Sequence, residues 1–270
     1  MHITNGIYHG ALDRPSLFDL EIPEHWNGTL IIFVHGFMGF KDWGAWSLVQ
    51  DYFTNHKFGF AKFNLSHNGG NTQQGIDFPD ELAFAQNTYS KEIEDISLFR
   101  KHIQTLIQPR QTYLIGHSRG GGDVILHAQT AHVDKIALWA SISDIGSRFP
   151  EGSELAEWKK NGVRTITNSR TKQALSQHYS LYEDFKLHEK QLNIEKAIKQ
   201  NIQPICVIHG SKDTSVPLAE GQALAQWSGT ALITIEGADH VFGAKHPWEE
   251  SSLPSPLLVA CEATLDFFNQ

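Results

Sequence analysis

The sequence predicts an α/β protein: a mostly parallel central sheet with helices on both faces and a small inserted cap. Three observations carry that expectation. Short runs rich in β-branched and aromatic residues alternate with stretches of helical periodicity along most of the chain. The leading run is continuously apolar, as a strand covered on both faces must be. The alternation then breaks once, between about Asp144 and Gln203, over a stretch too long for an ordinary loop.

The strand at residues 29–34 (TLIIFV) sets the pattern, and similar runs lie at 59–64, 112–115, 135–140, 204–208 and 231–235. Helices are expected at 43–55, 89–108, 120–131, 218–227 and 256–268. In the second of these, Ile93, Ile96, Ile103 and Ile107 form an apolar face at helical spacing. Strand alternating with helix implies right-handed crossovers and a parallel sheet, while 16–22 would add antiparallel strands at its amino-terminal edge. Inside the broken stretch, 163–167 alternates like a strand, 168–170 is a turn candidate and 192–200 reads as helix. The expected organisation is a core of residues 1–143 and 204–270 with an inserted cap of residues 144–203.

At 270 residues the chain is long for one domain but fits a single core with an insertion. It is 40% hydrophobic and 19% charged, enough apolar content to bury a sizeable core. Lys and Arg number 22 against 30 Asp and Glu, a formal charge of −8, which lacks the positive footprint of a general nucleic-acid binder. No apolar run approaches the ~18 residues of a membrane helix, and residues 1–10 have no signal-peptide pattern. A soluble, cytoplasmic protein is expected, with neither nucleic acid nor membrane as partner. Cys206 and Cys261 have no CxxC spacing and read as buried free thiols. The 15 histidines show no HExxH or clustered zinc pattern, so neither metal nor cofactor is expected.

Residues 116–120 read Gly-His-Ser-Arg-Gly, a GxSxG that follows an apolar strand and opens a helix. Strand, sharp turn and helix in that order are what a nucleophile elbow requires. The serine sits strained at the carboxyl end of the strand, and the glycines let the helix and strand backbones pass closely. Ser118 is the candidate nucleophile. A serine in a Gly-rich turn without chemistry is the plainer alternative.

A serine hydroxyl is a poor nucleophile at neutral pH; it needs a base to take its proton and a carboxylate to orient that base. In an architecture of this kind the acid follows the nucleophile and the histidine follows the acid, each on a loop after a later strand. The strand at 204–208 runs into a loop ending at Asp213, and that at 231–235 into a loop ending at His240. These are the candidate acid and base. Asp144 and Asp239 compete for the first place, His209 and His246 for the second. His117 should point away from the serine and serve packing or hydrogen bonding. An oxyanion site needs converging backbone N–H groups. One comes from Arg119, directly after the nucleophile; the other is expected from Phe37 in the loop after residues 29–34.

The motifs HGF at 35–37, GHSRGG at 116–121, HGSKDTSVP at 209–217 and GADHVF at 237–242 occur in this order. With them, nearly the whole chain resembles the α/β-hydrolase superfamily. The resemblance implies the α/β-hydrolase fold with a Ser-His-Asp triad. Within the superfamily the chain is similar to small bacterial serine esterases, cinnamoyl and feruloyl esterase-like or dienelactone-hydrolase-like, which carry a compact cap after the strand following the nucleophile helix. HGF in place of HGGG separates it from the hormone-sensitive-lipase-like branch. The implied activity is cleavage of small-molecule carboxylic esters through an acyl-enzyme, with aryl or hydroxycinnamoyl esters as candidate substrates.

Aromatic residues cluster after the oxyanion strand (Phe37, Phe40, Trp43, Trp46) and in the expected cap (Trp158, Tyr179, Tyr182, Phe185). Met38, Trp158, Tyr179 and Tyr182 are the candidate substrate contacts; packing of cap on core is the alternative. His67 or Asn68 would line the pocket or merely build a loop. Arg119 would face a substrate carboxylate or pair with acids beside the nucleophile helix. A peptidase or amidase of the same fold, and a non-catalytic binding protein, stay beside the esterase reading, because a triad does not choose its leaving group. A homodimer is left open.

Overall fold

In the computed structural model, which describes residues 1–270, strands and helices alternate as the sequence predicts. The chain opens with β1 (His2–His9) and β2 (Pro15–Glu21), then runs through β3 (Thr29–Val34), α1 (Trp46–Asn55), β4 (Gly59–Phe63) and α2 (Glu81–Ala85). It continues with α3 (Tyr89–Leu106), β5 (Gln111–His117), α4 (Arg119–His127) and β6 (Lys135–Trp139). The stretch that breaks the alternation holds α5 (Gly152–Asn161), β7 (Val163–Thr167), β8 (Ala174–His178), α6 (Ser180–Leu187) and α7 (Ile194–Gln200). The chain returns through β9 (Ile205–Gly210), α8 (Leu218–Ser228), β10 (Leu232–Ile235) and α9 (Ser255–Phe268).

Eight strands form one sheet in the order β1-β2-β4-β3-β5-β6-β9-β10, parallel from β4 onward and antiparallel at the β1-β2-β4 edge. The continuous apolar runs follow from burial on both faces. Along β3, Leu30, Ile32 and Val34 enter one buried layer, and Ile31 and Phe33 enter the other. The first layer is closed by α3 through Ile96, Phe99 and Ile103 and by α4 through Val124 and Ile125; the second by α1 through Trp46, Val49 and Phe53 and by α9 through Leu257 and Cys261. The i, i+3, i+7 spacing on α3 places Ile96, Phe99 and Ile103 on one stripe, and the Thr88 hydroxyl caps that helix by accepting from Lys91 N. β5 lies between β3 and β6, so whatever follows its carboxyl end emerges at the centre of the sheet.

β7 and β8 pair with each other in a separate antiparallel hairpin. Helix α6 lies on α3, whereas α7 lies against α4 and α8 in the helical layer of the core. No helix is long and apolar enough to cross a membrane. Cys206 on β9 and Cys261 on α9 are buried free thiols; burial pushes the Cys206 thiol up to about 12 and raises that of Cys261 as well. Neither carries appreciable thiolate at pH 8, so neither should react with Ellman's reagent in the native protein, and both should react after unfolding in guanidinium. A rapid native-state reaction would show that the β9 or α9 region opens.

Candidate active site

Ser118 sits at the turn between β5 and α4 with φ 58° and ψ −121°, a conformation costing a non-glycine residue about 1–3 kcal/mol. Its surroundings enforce it. Ser118 N donates to Trp139 O at 2.9 Å on the neighbouring strand, and Ser118 O accepts from Gly121 N at 3.0 Å and Ile142 N at 3.2 Å. The helix can follow so closely only because residue 120 has no side chain: a Cβ there would lie 2.4 Å from Val34 O. Gly36 is equally constrained, since its Cβ would fall 2.7 Å from Ser118 Cβ. The HGF loop is thereby pressed against the serine.

Three loops then meet. His240, after β10, places Nε2 at 2.9 Å from Ser118 Oγ, and its Nδ1–H donates to Asp213 Oδ2 at 2.7 Å. Asp213, after β9, accepts Ser215 N and Val216 N on Oδ1, each at 2.8 Å. Burial works to raise its pKa, but hydrogen bonds from His209, His240 and the Val216 backbone outweigh burial and hold the carboxyl below the usual carboxylate range. The carboxylate is charged, pre-oriented and fixed from both sides.

Two further histidines support these loops. His117 points away from the serine, as expected, and its Nε2–H donates to the carbonyl of His240 at 2.9 Å. Burial, with His240 alongside, takes its pKa down to about 3, so it acts as a neutral donor of fixed tautomer. His35 donates from Nδ1 to Gly36 O at 2.9 Å and accepts Leu65 N on Nε2 at 3.2 Å; burial lowers its pKa to about 4. The Phe37 and Arg119 N–H groups have no acceptor elsewhere in the fold, and Arg119 opens α4, whose amino-terminal dipole favours negative charge at the serine.

Solved structures similar over almost the full length include a protein of Agrobacterium vitis S4 described in general terms as a hydrolase, 19% identical, covering 98% of this chain and 97% of that one, TM-score 0.74. Est1E of Butyrivibrio proteoclasticus, with ferulic acid bound, is 17% identical over 98% and 99% of the two chains, TM-score 0.73. The alpha/beta hydrolase domain-containing protein 10 of mouse is 16% identical over 98% of each, TM-score 0.66. The chain has the α/β-hydrolase fold. No protein-family model matches it, and no curated protein sequence does.

On this α/β-hydrolase fold the competing acids and bases are engaged elsewhere. Asp144 Oδ2 accepts Ser147 N at 2.6 Å, and Asp239 Oδ1 accepts Gly243 N at 2.8 Å. His246 Nδ1 accepts Gly44 N at 2.9 Å, and fully buried His209 donates from Nε2 to Val216 O at 2.9 Å. His67 and Asn68 build a buried loop: His67 Nδ1 meets Ser66 Oγ at 2.8 Å, and Asn68 Nδ2 donates to Gly39 O at 3.2 Å.

Ser118, Phe37 and His240 border two cavities. The smaller, about 210 Å³, includes Met38, Trp43 and Trp46 in its wall. The larger, about 360 Å³, is walled by Phe149, Ile142, Leu181 and three arginines, Arg119, Arg148 and Arg164. Trp158, Tyr179 and Tyr182 border neither, which corrects their assignment as substrate contacts. Trp158 is 2% exposed, donates Nε1–H to Gln177 O at 2.9 Å and stacks with Phe149, while Tyr179 and Tyr182 pack against it and each other. These rings pack with Phe149, Leu181 and Phe185 in the buried apolar cluster that joins the 144–203 segment to the core. Arg148 and Arg164 were not foreseen. The one available signal was the alternation of 163–167, which turns Arg164 and Ile166 inward.

Proposed function

We propose that this protein is a serine hydrolase that cleaves carboxylic esters. The observation that carries the reading is the chain of contacts from Ser118 Oγ to His240 Nε2 at 2.9 Å and from His240 Nδ1 to Asp213 Oδ2 at 2.7 Å, set on a strained elbow. Ser118 Oγ attacks the ester carbonyl carbon while its proton passes to His240 Nε2. The carbonyl oxygen becomes an oxyanion, stabilised by the free N–H groups of Phe37 and Arg119; one such donor contributes about 10²–10³ in kcat. The C–O bond to the alcohol breaks as His240 returns its proton to the leaving oxygen, which leaves an acyl-Ser118. Water, deprotonated by the same imidazole, then releases the acid and restores the serine. Asp213 stays ionised throughout and stabilises the imidazolium.

Residues 144–203 are read as a cap over this chemistry. They supply Arg148, Phe149, Arg164 and Leu181 to the larger cavity and Asn168 to Arg170 to the smaller, so the cap sets which ester enters. Est1E, a structural neighbour, binds ferulic acid, which keeps hydroxycinnamoyl esters among the candidates.

A small fluorophosphonate should add to Ser118, located by peptide mass spectrometry, and matched ester and amide substrates should show the ester turned over faster. Labelling at another serine would overturn the assignment. Faster amide cleavage would move the protein to the amidase reading, and no labelling at all to a non-catalytic one.

A further inference from the structure

In a chain of formal charge −8, the larger cavity beside Ser118 is lined by three arginines and by no aspartate or glutamate. The three guanidinium groups are compensated unequally. Arg119 is buried against Phe37 and Tyr89, its centre 4.2 and 4.6 Å from their rings, and its Nη1 lies 3.4 Å from Glu92 Oε1. Arg148 pairs with Glu220 through Nη2 and reaches Asp144 O from Nε at 3.4 Å. Arg164 has no carboxylate partner. Its Nε and Nη2 both donate to Gln177 Oε1, at 2.8 and 2.6 Å across the β7–β8 pair, and its guanidinium lies 4.0 Å from the Trp158 ring centre. The amide oxygen fixes the orientation of the fork without neutralising it. Arg164 Nη1 has no acceptor in the fold.

Arg119 and Arg148 each make an ion pair and Arg164 makes none, which leaves its positive charge facing the cavity, held by an aromatic ring beneath and an amide behind. Burial and the like charge of Arg119 press against the ionised form of Arg164 and outweigh the lesser help of Tyr89 and Glu154, so an anion in the cavity would relieve it. We propose that the substrate is a carboxylate-bearing ester, a half-ester of a dicarboxylic acid or an ester of a carboxylated alcohol, whose free carboxylate pairs with Arg164 while its ester carbonyl lies at Ser118. A planar fork matches a carboxylate, and one monoanion balances the one uncompensated charge. The inference rests on the serine-hydrolase reading above and names its substrate class.

Two ester pairs test it. The para-nitrophenyl half-ester of glutarate is compared with the ester whose carboxylate is replaced by an isopropyl group, which places the charge on the acyl side. The acetate of para-hydroxybenzoate is compared with para-isopropylphenyl acetate, which places it on the alcohol side. In one pair kcat/KM should favour the carboxylate, and Arg164→Gln should lower the charged-to-neutral ratio about ten- to a hundredfold, chiefly through KM. Raising the ionic strength should erode the same ratio in the unmodified protein, a readout that needs no folded variant. The proposal is overturned if neither pair favours the carboxylate, or if Arg164→Gln changes both members of each pair equally. Failure of the underlying reading looks different: Ser118 then resists the fluorophosphonate and no ester of either pair is cleaved.

Discussion

Replacing Ser118 with alanine is expected to lower kcat for any ester on the order of 10⁵–10⁶-fold, with the melting temperature essentially unchanged. The size follows from the way the three side chains act together. Without Oγ, His240 has no proton to accept and Asp213 no imidazolium to stabilise, so only binding and the oxyanion donors remain, and these leave a residual rate above that of water. For the same reason the double variant Ser118→Ala, His240→Ala should be no slower than the single one. The unchanged stability follows from the hydrogen bonds. The elbow is fixed by the Ser118 main chain through Trp139 O, Gly121 N and Ile142 N, whereas the hydroxyl makes its contact with His240. Alanine inherits the strain at φ 58° and all three backbone bonds. Steady-state hydrolysis and a thermal melt check both halves; a variant retaining a tenth of the activity would remove Ser118 from the chemistry.

The parts of the fold that could be read ahead of the structure are those where burial on two faces writes itself into composition. The runs that became β3, β4 and β6 are apolar at nearly every position, and the expected bounds differ from the observed ones by at most a residue. Elements whose order comes from tertiary contact left weaker marks. β1 is an exposed edge strand of sequence HITNGIYH with one fully buried residue, and α5 buries Trp158 alone. Helix α1 begins at Trp46 rather than at residue 43 because residues 40–45 turn to bring Trp43 toward the serine. Inside β4, Lys62 is buried in a strand that reads as apolar, held by Asp19 at 2.6 Å and Asp42 at 2.5 Å, a pairing across three chain segments that no local pattern contains. The same distinction runs through the site. Ser118, Asp213 and His240 lie on loops directly after strands, where chain order is enough to mark them as candidates. The arginines of the larger cavity converge only once the 144–203 segment has folded over it.

Asp213→Asn is expected to lower kcat about 10⁴-fold while KM changes only a few-fold. The geometry dictates which way the amide must face. Oδ1 of Asp213 accepts two backbone N–H groups, from Ser215 and Val216, both at 2.8 Å, so the oxygen of an asparagine stays there and its NH₂ is turned toward His240 Nδ1. That NH₂ can only donate, which makes Nδ1 an acceptor and moves the imidazole proton to Nε2. The nitrogen facing Ser118 then carries a proton where a lone pair is required, and the serine loses its base. His209, with Nε2 lying 3.3 Å from Asp213 Oδ2, works against this orientation because its N–H then faces the NH₂, while the opposite flip would turn the NH₂ against the Ser215 and Val216 N–H groups, so neither orientation is free of conflict and the variant should also melt lower at pH 7. The sign of the pH dependence is set by the depressed pKa of Asp213. Its ionised form adds stability above the unfolded carboxylate value of about 3.9, and that stability is lost as pH falls through the lower folded value. The melting-temperature gap between the unmodified protein and Asp213→Asn should therefore be widest near neutrality and shrink below about pH 4. Asp239→Asn, whose carboxylate serves Gly243 N, should leave kcat within a few-fold of the parent. Equal losses in the two variants would mean that Asp213 matters only for the shape of its loop, and the orienting role would fall.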